Sequence, residues 1–220
     1  MLAAMVLVFY SVLDDKLTAS RRDRWLAELP RIKRSVLRRI HQSETQQLSL
    51  LGYQLVKQAC LTLGVESCRL DQLVFAPGRK PVFPHGVYFS LSHSQRLVAC
   101  AIGREAPLGL DTEYVRPIDG SRLRNTLSET ERMAIENDPS QFFDVWTSKE
   151  AVIKAHGHAG IHQMKEVCLE PGPESNAARF DNRQWFLTRL QLQPGYVTHL
   201  ATTQPAPKVR QHPVFSAELY

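Results

Sequence analysis

One segment, Trp146-Thr-Ser-Lys149-Glu150-Ala-Val-Ile-Lys154, sets two lysines and a carboxylate into an otherwise apolar run. Read as a helix that starts near Ser140, it stacks Trp146, Glu150 and Lys154 at i, i+4 and i+8 on one face. Moving a charge out of water is expensive unless the charge meets a partner. Charges on a packing face therefore point to a metal or a polyanion. The competing reading is an exposed i, i+4 ion pair between Glu150 and Lys154, worth ~0.3–0.5 kcal/mol. The helix alone leaves both readings open.

Two further patterns bear on the choice. Leu108-Gly-Leu-Asp111-Thr-Glu113 reads as a strand, on which residues i and i+2 share a face, so Asp111 and Glu113 project together. Adjacent carboxylates repel, and a hard cation such as Mg²⁺ relieves the repulsion. It is usually held by one or two carboxylates, with waters and substrate phosphates completing the shell. Two solvated acids at an exposed strand end would give the same pattern. Tyr88-Phe-Ser-Leu-Ser92-His93-Ser94 closes another strand with hydroxyl, imidazole and hydroxyl. Such groups can grip phosphate oxygens, bond nearby backbone in a turn, or pair a serine nucleophile with a histidine base. No Gly-x-Ser-x-Gly elbow supports a hydrolase.

The elements that must position these residues alternate between strand and helix. Residues 5–10 read as a strand, and 19–29 and 32–40 as helices. Ser43-Glu-Thr-Gln46 has the form of a capping box opening a long helix that Gly64 closes, with Leu48, Leu51, Leu55 and Ala59 on one stripe. Strands are expected over 87–92, 97–102 and 108–113, with a polar turn at His93-Ser-Gln-Arg96 and a loop through Pro117 and Gly120. Ser128-Glu-Thr-Glu131 is a second capping box, and Gly157 stops the helix that carries Lys154. Further strands are expected over 165–170, 184–192 and 196–202, followed by an irregular, proline-punctuated tail after Gln204. The fold class is α+β: two α/β halves, 1–104 and 105–220, each with helices on a small, mainly antiparallel sheet and joined near residues 103–107.

At 220 residues with 43% hydrophobic and 22% charged content, the chain has ordinary globular composition. Its net charge of +5 is uneven. Arg21, Arg22, Arg24, Arg31, Lys33, Arg34, Arg38 and Arg39 crowd one region, which favours an anionic partner or forms a solvated basic face. Cys60, Cys68, Cys100 and Cys168 show no metal or redox spacing, and three sit in apolar surroundings, as free thiols of a reducing cytoplasm do. The apolar run at residues 1–13 lacks a basic start and reads as a buried strand, not a signal peptide. No run approaches the length of a membrane span.

Taken together, Gly78-Arg-Lys80-Pro81, Phe89-Ser-Leu-Ser92-His93-Ser94, Gly109-Leu-Asp111-Thr-Glu113 and Trp146-Thr-Ser-Lys149-Glu150-Ala-Val-Ile-Lys154 resemble the 4′-phosphopantetheinyl transferases of the broad-specificity, surfactin-synthetase-activator type. The motifs follow the family's order and spacing over roughly residues 43–160. The resemblance implies a pseudo-dimer of two similar halves with the active site between them. It also implies a reaction: coenzyme A gives its phosphopantetheine arm to a serine of an apo acyl or peptidyl carrier protein, releasing adenosine 3′,5′-bisphosphate.

Carried over residue by residue, the resemblance implies Asp111, Glu113 and Glu150 as ligands of Mg²⁺ at the pyrophosphate. Ser92, His93 and Lys154 become phosphate contacts, Lys80 a contact near adenine and phosphates, and Lys149 a member of the same charged helix face. Glu150 is the candidate base and Lys154 the charge stabiliser. Glu131 aligns with an acid near the metal, although its capping box explains it more simply. An arginine that many relatives carry before Leu50-Leu51-Gly52 is missing here, and Lys33 or Arg34 would take over its 3′-phosphate contact. A monomer in the cytoplasm, with no membrane or nucleic-acid partner, completes the expectation. The rivals are a catalytically weak carrier-binding adaptor and a nucleic-acid-binding module. The second lacks interleaved aromatics and any helix-turn-helix or RRM signature.

Overall fold

A computed structural model describes residues 5–40, 43–65, 68–84, 86–117, 126–157, 160–170, 176–216 and 219. Nine strands and five helices are assigned among them. The first sheet has the order β2-β3-β1-β9, from β1 (Met5–Val12), β2 (Tyr88–Ser94), β3 (Leu97–Gly103) and β9 (Lys208–Pro213). The second has the order β4-β8-β7-β6-β5, from β4 (Leu108–Tyr114), β5 (Cys168–Leu169), β6 (Ala177–Phe180), β7 (Arg183–Leu190) and β8 (Tyr196–Thr202). All pairings are antiparallel except β1 with β9. The expected α+β class, with a small sheet and helices in each half, is what the chain adopts.

The helices are α1 (Ala19–Ala27), α2 (Arg31–Arg38), α3 (Ser43–Thr62), α4 (Glu129–Asn137) and α5 (Phe142–His156). Helix α3 buries Leu48, Leu50, Leu51, Leu55 and Val56 in one core with Phe9, Val98, Cys100 and Ile102. Each such side chain stabilises the fold by ~1.5–3 kcal/mol relative to exposure. The opposite face of the first sheet supplies Val6, Val8, Leu97, Ala99 and Ala101 to a second core, shared with Leu108, Leu110, Leu190 and Leu200 of the second sheet. Strand β1 is thus covered on both faces, which is why its apolar run does not alternate. Helix α5 covers the far side of the second sheet through Ala151, Val152 and Ile153 against Trp185 and Leu187.

Several local expectations are corrected. Strand β2 runs on through His93 and Ser94, so those residues lie in the sheet and the turn shrinks to Gln95-Arg96, with Gln95 left-handed at φ 49°. The amide of Gln46 does not close a capping box: it donates to the Leu37 carbonyl at 2.8 Å, tying α3 to the end of α2. Helix α5 begins at Phe142, after a 3-10 turn over Pro139–Gln141. The strand expected over 165–170 shrinks to β5, because a 3-10 segment over 161–166 takes its first two residues, and β6 was not foreseen.

The proline-rich tail holds β9, which crosses back to pair with β1, so the C-terminal segment adds an edge to the first half's sheet. Pro205, Pro207 and Pro213 sit before or at the end of this strand, where a missing N–H is tolerated. The expected loop through Pro117 and Gly120 lies partly outside the described residues. Cys60, Cys68 and Cys100 are buried free thiols and Cys168 is exposed. No helix of the described residues is long and apolar enough to cross a membrane.

Candidate active site at the seam of the two sheets

Strands β2 and β4 run side by side in the same direction without sharing a backbone ladder. Serine side chains join them. Ser90, Ser92 and Ser94 take one face of β2 by the two-residue period, and their hydroxyls accept the N–H groups of Leu110, Thr112 and Tyr114 at 3.0, 3.2 and 3.1 Å. The hydroxyl protons point at the acids: Ser92 donates to Asp111 Oδ1 at 2.8 Å, and Ser94 to Glu113 Oε2 at 2.6 Å. Ser92 has therefore committed its proton to a carboxylate, which leaves no support for a Ser92–His93 nucleophile pair.

Helix α5 crosses β4 at Gly109. A Cβ there would lie 2.0 Å from the Ala151 carbonyl oxygen and 2.3 Å from the Ala155 nitrogen, so only glycine permits this approach. The close crossing lets Lys154 reach Asp111 Oδ1 at 2.6 Å and Ser92 Oγ at 3.1 Å. Gly157, left-handed at φ 79°, then ends the helix with its N–H on the Ile153 carbonyl.

Asp111 is buried, and its second oxygen, Oδ2, has no hydrogen-bond partner. An orphaned carboxylate oxygen in a buried setting costs free energy unless something else meets it. Burial raises the pKa of Glu150 above the ordinary carboxylate value; the Lys154 charge opposes the rise, and Asp111 and Glu113 add to it. Burial also raises Glu113, with the Ser94 bond opposing and Asp111 reinforcing the rise. The three acids thus crowd one another, which is the electrostatic condition a divalent cation relieves. Among the described residues no group of three or more His, Cys, Asp or Glu side chains is arranged to hold a metal ion by itself. A Mg²⁺ here would need waters and phosphates to supply much of its shell.

Cations line the adjoining space. A cavity of ≈ 180 Å³ is bordered by Tyr53, Lys80, Phe89 and Lys154, and Lys80 also borders a neighbouring one of ≈ 220 Å³. Lys80 donates to the Leu108 carbonyl at 2.8 Å, and burial together with the Lys154 charge lowers its pKa to about 8. His93 is exposed, yet partial desolvation and the Lys154 charge hold it below its ordinary value, against the pull of Asp111. Lys33 lies over the rings of Tyr53 and Phe75, 5.5 and 6.0 Å from their centroids. A larger cavity of ≈ 390 Å³ between α1 and α3, bordered by Cys60, Cys68 and the Glu28–Lys57 ion pair, contains none of these residues.

The structure thus brings Ser92, Asp111, Glu113, Glu150 and Lys154 together, with Lys80 and His93 beside them and Lys33 next to Tyr53. It does not bring Lys149 or Arg34. Lys149 has no exposed surface: it turns to the other side of α5 and donates to Glu131 Oε2 at 2.6 Å. Glu131 also accepts the Ser128 N–H at 2.7 Å, so its capping box is real and it serves Lys149 as well. Arg34 donates to the carbonyls of Ala27 and Leu29, tying off the end of α1. The sequence points to Ser94 as a phosphate or turn hydroxyl and not as a partner of Glu113, and it gives no sign of Tyr53. The period-two row of serines was the available signal for Ser94, whereas Tyr53 sits inside a helix that reads as core.

Comparison with known proteins bears on the same residues. The family model described as "4′-phosphopantetheinyl transferase superfamily" matches residues 107–204. The 4′-phosphopantetheinyl transferase HetI of Nostoc sp. is 33% identical over 112 residues, covering 48% of this chain and 47% of the relative. The 4′-phosphopantetheinyl transferase gsp of Aneurinibacillus migulanus is 31% identical over 116 residues, covering 50% and 48%. The 4′-phosphopantetheinyl transferase psf-1 of Bacillus pumilus is 28% identical over 149 residues, covering 62% and 64%. The chain spans about half the length of the first two of these relatives and under two thirds of the third. The segment that matches the family model contains Asp111, Glu113, Glu150 and Lys154.

Proposed function

We propose that this protein transfers the 4′-phosphopantetheine arm of coenzyme A to a serine of an apo acyl or peptidyl carrier protein, with Mg²⁺, and releases adenosine 3′,5′-bisphosphate. The observation that carries the reading is the buried Asp111, whose free Oδ2 faces no protein donor, within a cluster of Glu113, Glu150 and Lys154. Asp111, Glu113 and Glu150 would hold the ion, and when bound it neutralises charge on the pyrophosphate.

The chain's own residues account for the rest. Phosphoryl transfer needs alignment and charge neutralisation more than covalent help. Lys154, anchored on Asp111 and Ser92, stabilises charge on the leaving bisphosphate, while Lys80 and His93 bind phosphate oxygens beside it. Lys33, held over Tyr53, supplies the contact that the missing family arginine would make. The carrier serine's oxygen forms its bond to the β-phosphorus as the bond to the bridging oxygen breaks. The departing bisphosphate keeps that electron pair, and the serine proton passes to Glu150. Desolvation raises the basicity of Glu150, and a bound ion would oppose that rise, so the base role rests on its place in the cluster beside Asp111 and Lys154. Near-normal turnover by Glu150→Gln at saturating Mg²⁺ would remove it from the role.

One chain supplies both sides of the seam, so a monomer suffices, and the buried free thiols support a reducing, cytoplasmic setting. The test is mass spectrometry of several apo carriers incubated with the protein, coenzyme A and Mg²⁺. A gain of one phosphopantetheine that chelation abolishes is expected. Carrier binding with no mass gain would favour the adaptor, and no gain on any carrier would overturn the transferase reading.

A further inference from the structure

The serine rungs at the seam repeat with one difference. Each hydroxyl of Ser90, Ser92 and Ser94 accepts a backbone N–H from β4. At Ser92 and Ser94 the residue before that N–H is an acid, Asp111 or Glu113, and the hydroxyl proton goes to its carboxylate. At Ser90 the corresponding residue is Gly109, which has no side chain. Ser94 is buried and Glu113 half-buried. One hydroxyl group at Ser94 thus registers β4 through Tyr114 and fixes one oxygen of Glu113, while the Arg116 guanidinium stands off at 3.8 Å from the same oxygen.

We propose that Ser94 is a positioning residue of the metal site, orienting Glu113 across the seam between the two sheets. The inference rests on the transferase reading, because it treats Glu113 as a ligand. A carboxylate pinned by one oxygen presents the other in a fixed direction, so less ordering entropy is lost when an ion binds. Asp111 has two anchors on one oxygen, Ser92 and Lys154, whereas Ser94 makes the one hydrogen bond recorded to the Glu113 carboxylate among the described residues. Ser90 is the built-in contrast: a rung with the same backbone bond and no acid to aim.

The experiment is calorimetric titration of Mg²⁺ into protein saturated with coenzyme A and without carrier, so that binding is read and not turnover. Ser94→Ala should weaken Mg²⁺ binding ~10-fold, at the lower end of the effect of losing a group that orients a metal ligand. Ser94→Thr, which keeps the hydroxyl, should recover to within about threefold of wild type. Ser90→Ala, which loses a rung of the same kind, should lower thermal stability and leave Mg²⁺ affinity unchanged. Wild-type affinity in Ser94→Ala overturns the proposal, as does equal weakening in Ser90→Ala, which would trace the effect to strand register alone. A wild-type protein that takes up no Mg²⁺ overturns the underlying transferase reading and the Ser94 proposal together. A wild type that binds while Ser94→Ala matches it overturns the Ser94 role only.

Discussion

Two lysines on helix α5 make ion pairs of the same length, 2.6 Å, and differ in everything else. Lys149 is wholly buried against Glu131, which is also held by the Ser128 N–H. Lys154 is partly exposed, with 29% of its side chain accessible, and its partner Asp111 keeps one oxygen unmet. The first pair is closed: its charges satisfy each other and the adjoining helix terminus. The second is open, with a carboxylate oxygen, two crowded glutamates and a cation-lined cavity all lacking something to bind. The difference teaches that burial and ion pairing alone do not mark a working site; what marks it is unmet polar capacity facing accessible space.

The largest expected effect breaks the closed pair. Lys149→Met leaves the partly buried Glu131 beside an apolar side chain, and removing one partner of a fully buried pair costs ~3–5 kcal/mol, an upper bound here. Urea unfolding should show that loss, and added Mg²⁺ should not restore it. Pairing Lys149→Met with Glu131→Gln should recover most of it, because glutamine still closes the capping box and carries no charge. If Lys149→Met folds as well as wild type, the closed pair is not structural.

Lys154→Ala tests the open pair in the opposite currency. Turnover should fall ~10²–10³-fold, the usual loss when a preorganised charge-stabilising donor is removed. The stability that Asp111 loses without its cation should return when Mg²⁺ is added, since the ion then answers the buried carboxylate. A Lys154→Ala protein with wild-type turnover would break the contrast between the two lysines, since both would then be structural.

These contrasts set what could be read in the residue order. The charged i, i+4 pair Glu150 and Lys154 and the i, i+2 pair Asp111 and Glu113 were legible, because helix and strand periods dictate shared faces. Lys149 was misplaced for a related reason: its one-residue offset from Glu150 turns it by about 100° around the helix, onto another face. Arg34 was legible as a cation, but nothing local showed that α1 ends within its reach. Strand β9 was hidden by its prolines, because its strand partner among the described residues is β1, some two hundred residues earlier in the chain. The seam itself escaped notice: side-chain rungs between strands leave no periodic trace beyond three alternate serines.

Gly109→Ala should disturb both pairs at once, since it pushes the whole of α5 off β4. The added Cβ meets backbone atoms at 2.0 and 2.3 Å, and backbone has no rotamer to escape into. Overpacking of this kind costs ~1–3 kcal/mol. The same displacement should lower turnover more steeply than stability, because Lys154 reaches Asp111 only across the close crossing. Circular dichroism melts and carrier modification on the same sample would separate the two. Equal turnover per folded molecule would show that the crossing distance is not what the site needs.

The smallest effect sharpens the open site by pH. Burial and the Lys154 charge bring Lys80 to about 8 from an ordinary lysine value, so it is cationic at pH 7 and largely neutral by pH 9. Its contribution to holding coenzyme A phosphates is therefore nearly full at pH 7, half lost near pH 8 and fades further as pH rises. Bound phosphate favours the charged form, so binding near pH 8 takes up a proton, and calorimetry in buffers of different ionisation enthalpy should detect it. The expected weakening between pH 7 and 9 is roughly fivefold, or ~1 kcal/mol, since the neutral amine still donates a hydrogen bond. Lys80→Arg stays charged throughout and should flatten the profile, whereas a wild-type slope in that variant would assign the titration to another group. Lys149, also lowered by burial but held up by Glu131, has no exposed surface and borders none of the cavities described above, so Lys149→Met should leave this pH profile unmoved in whatever fraction folds.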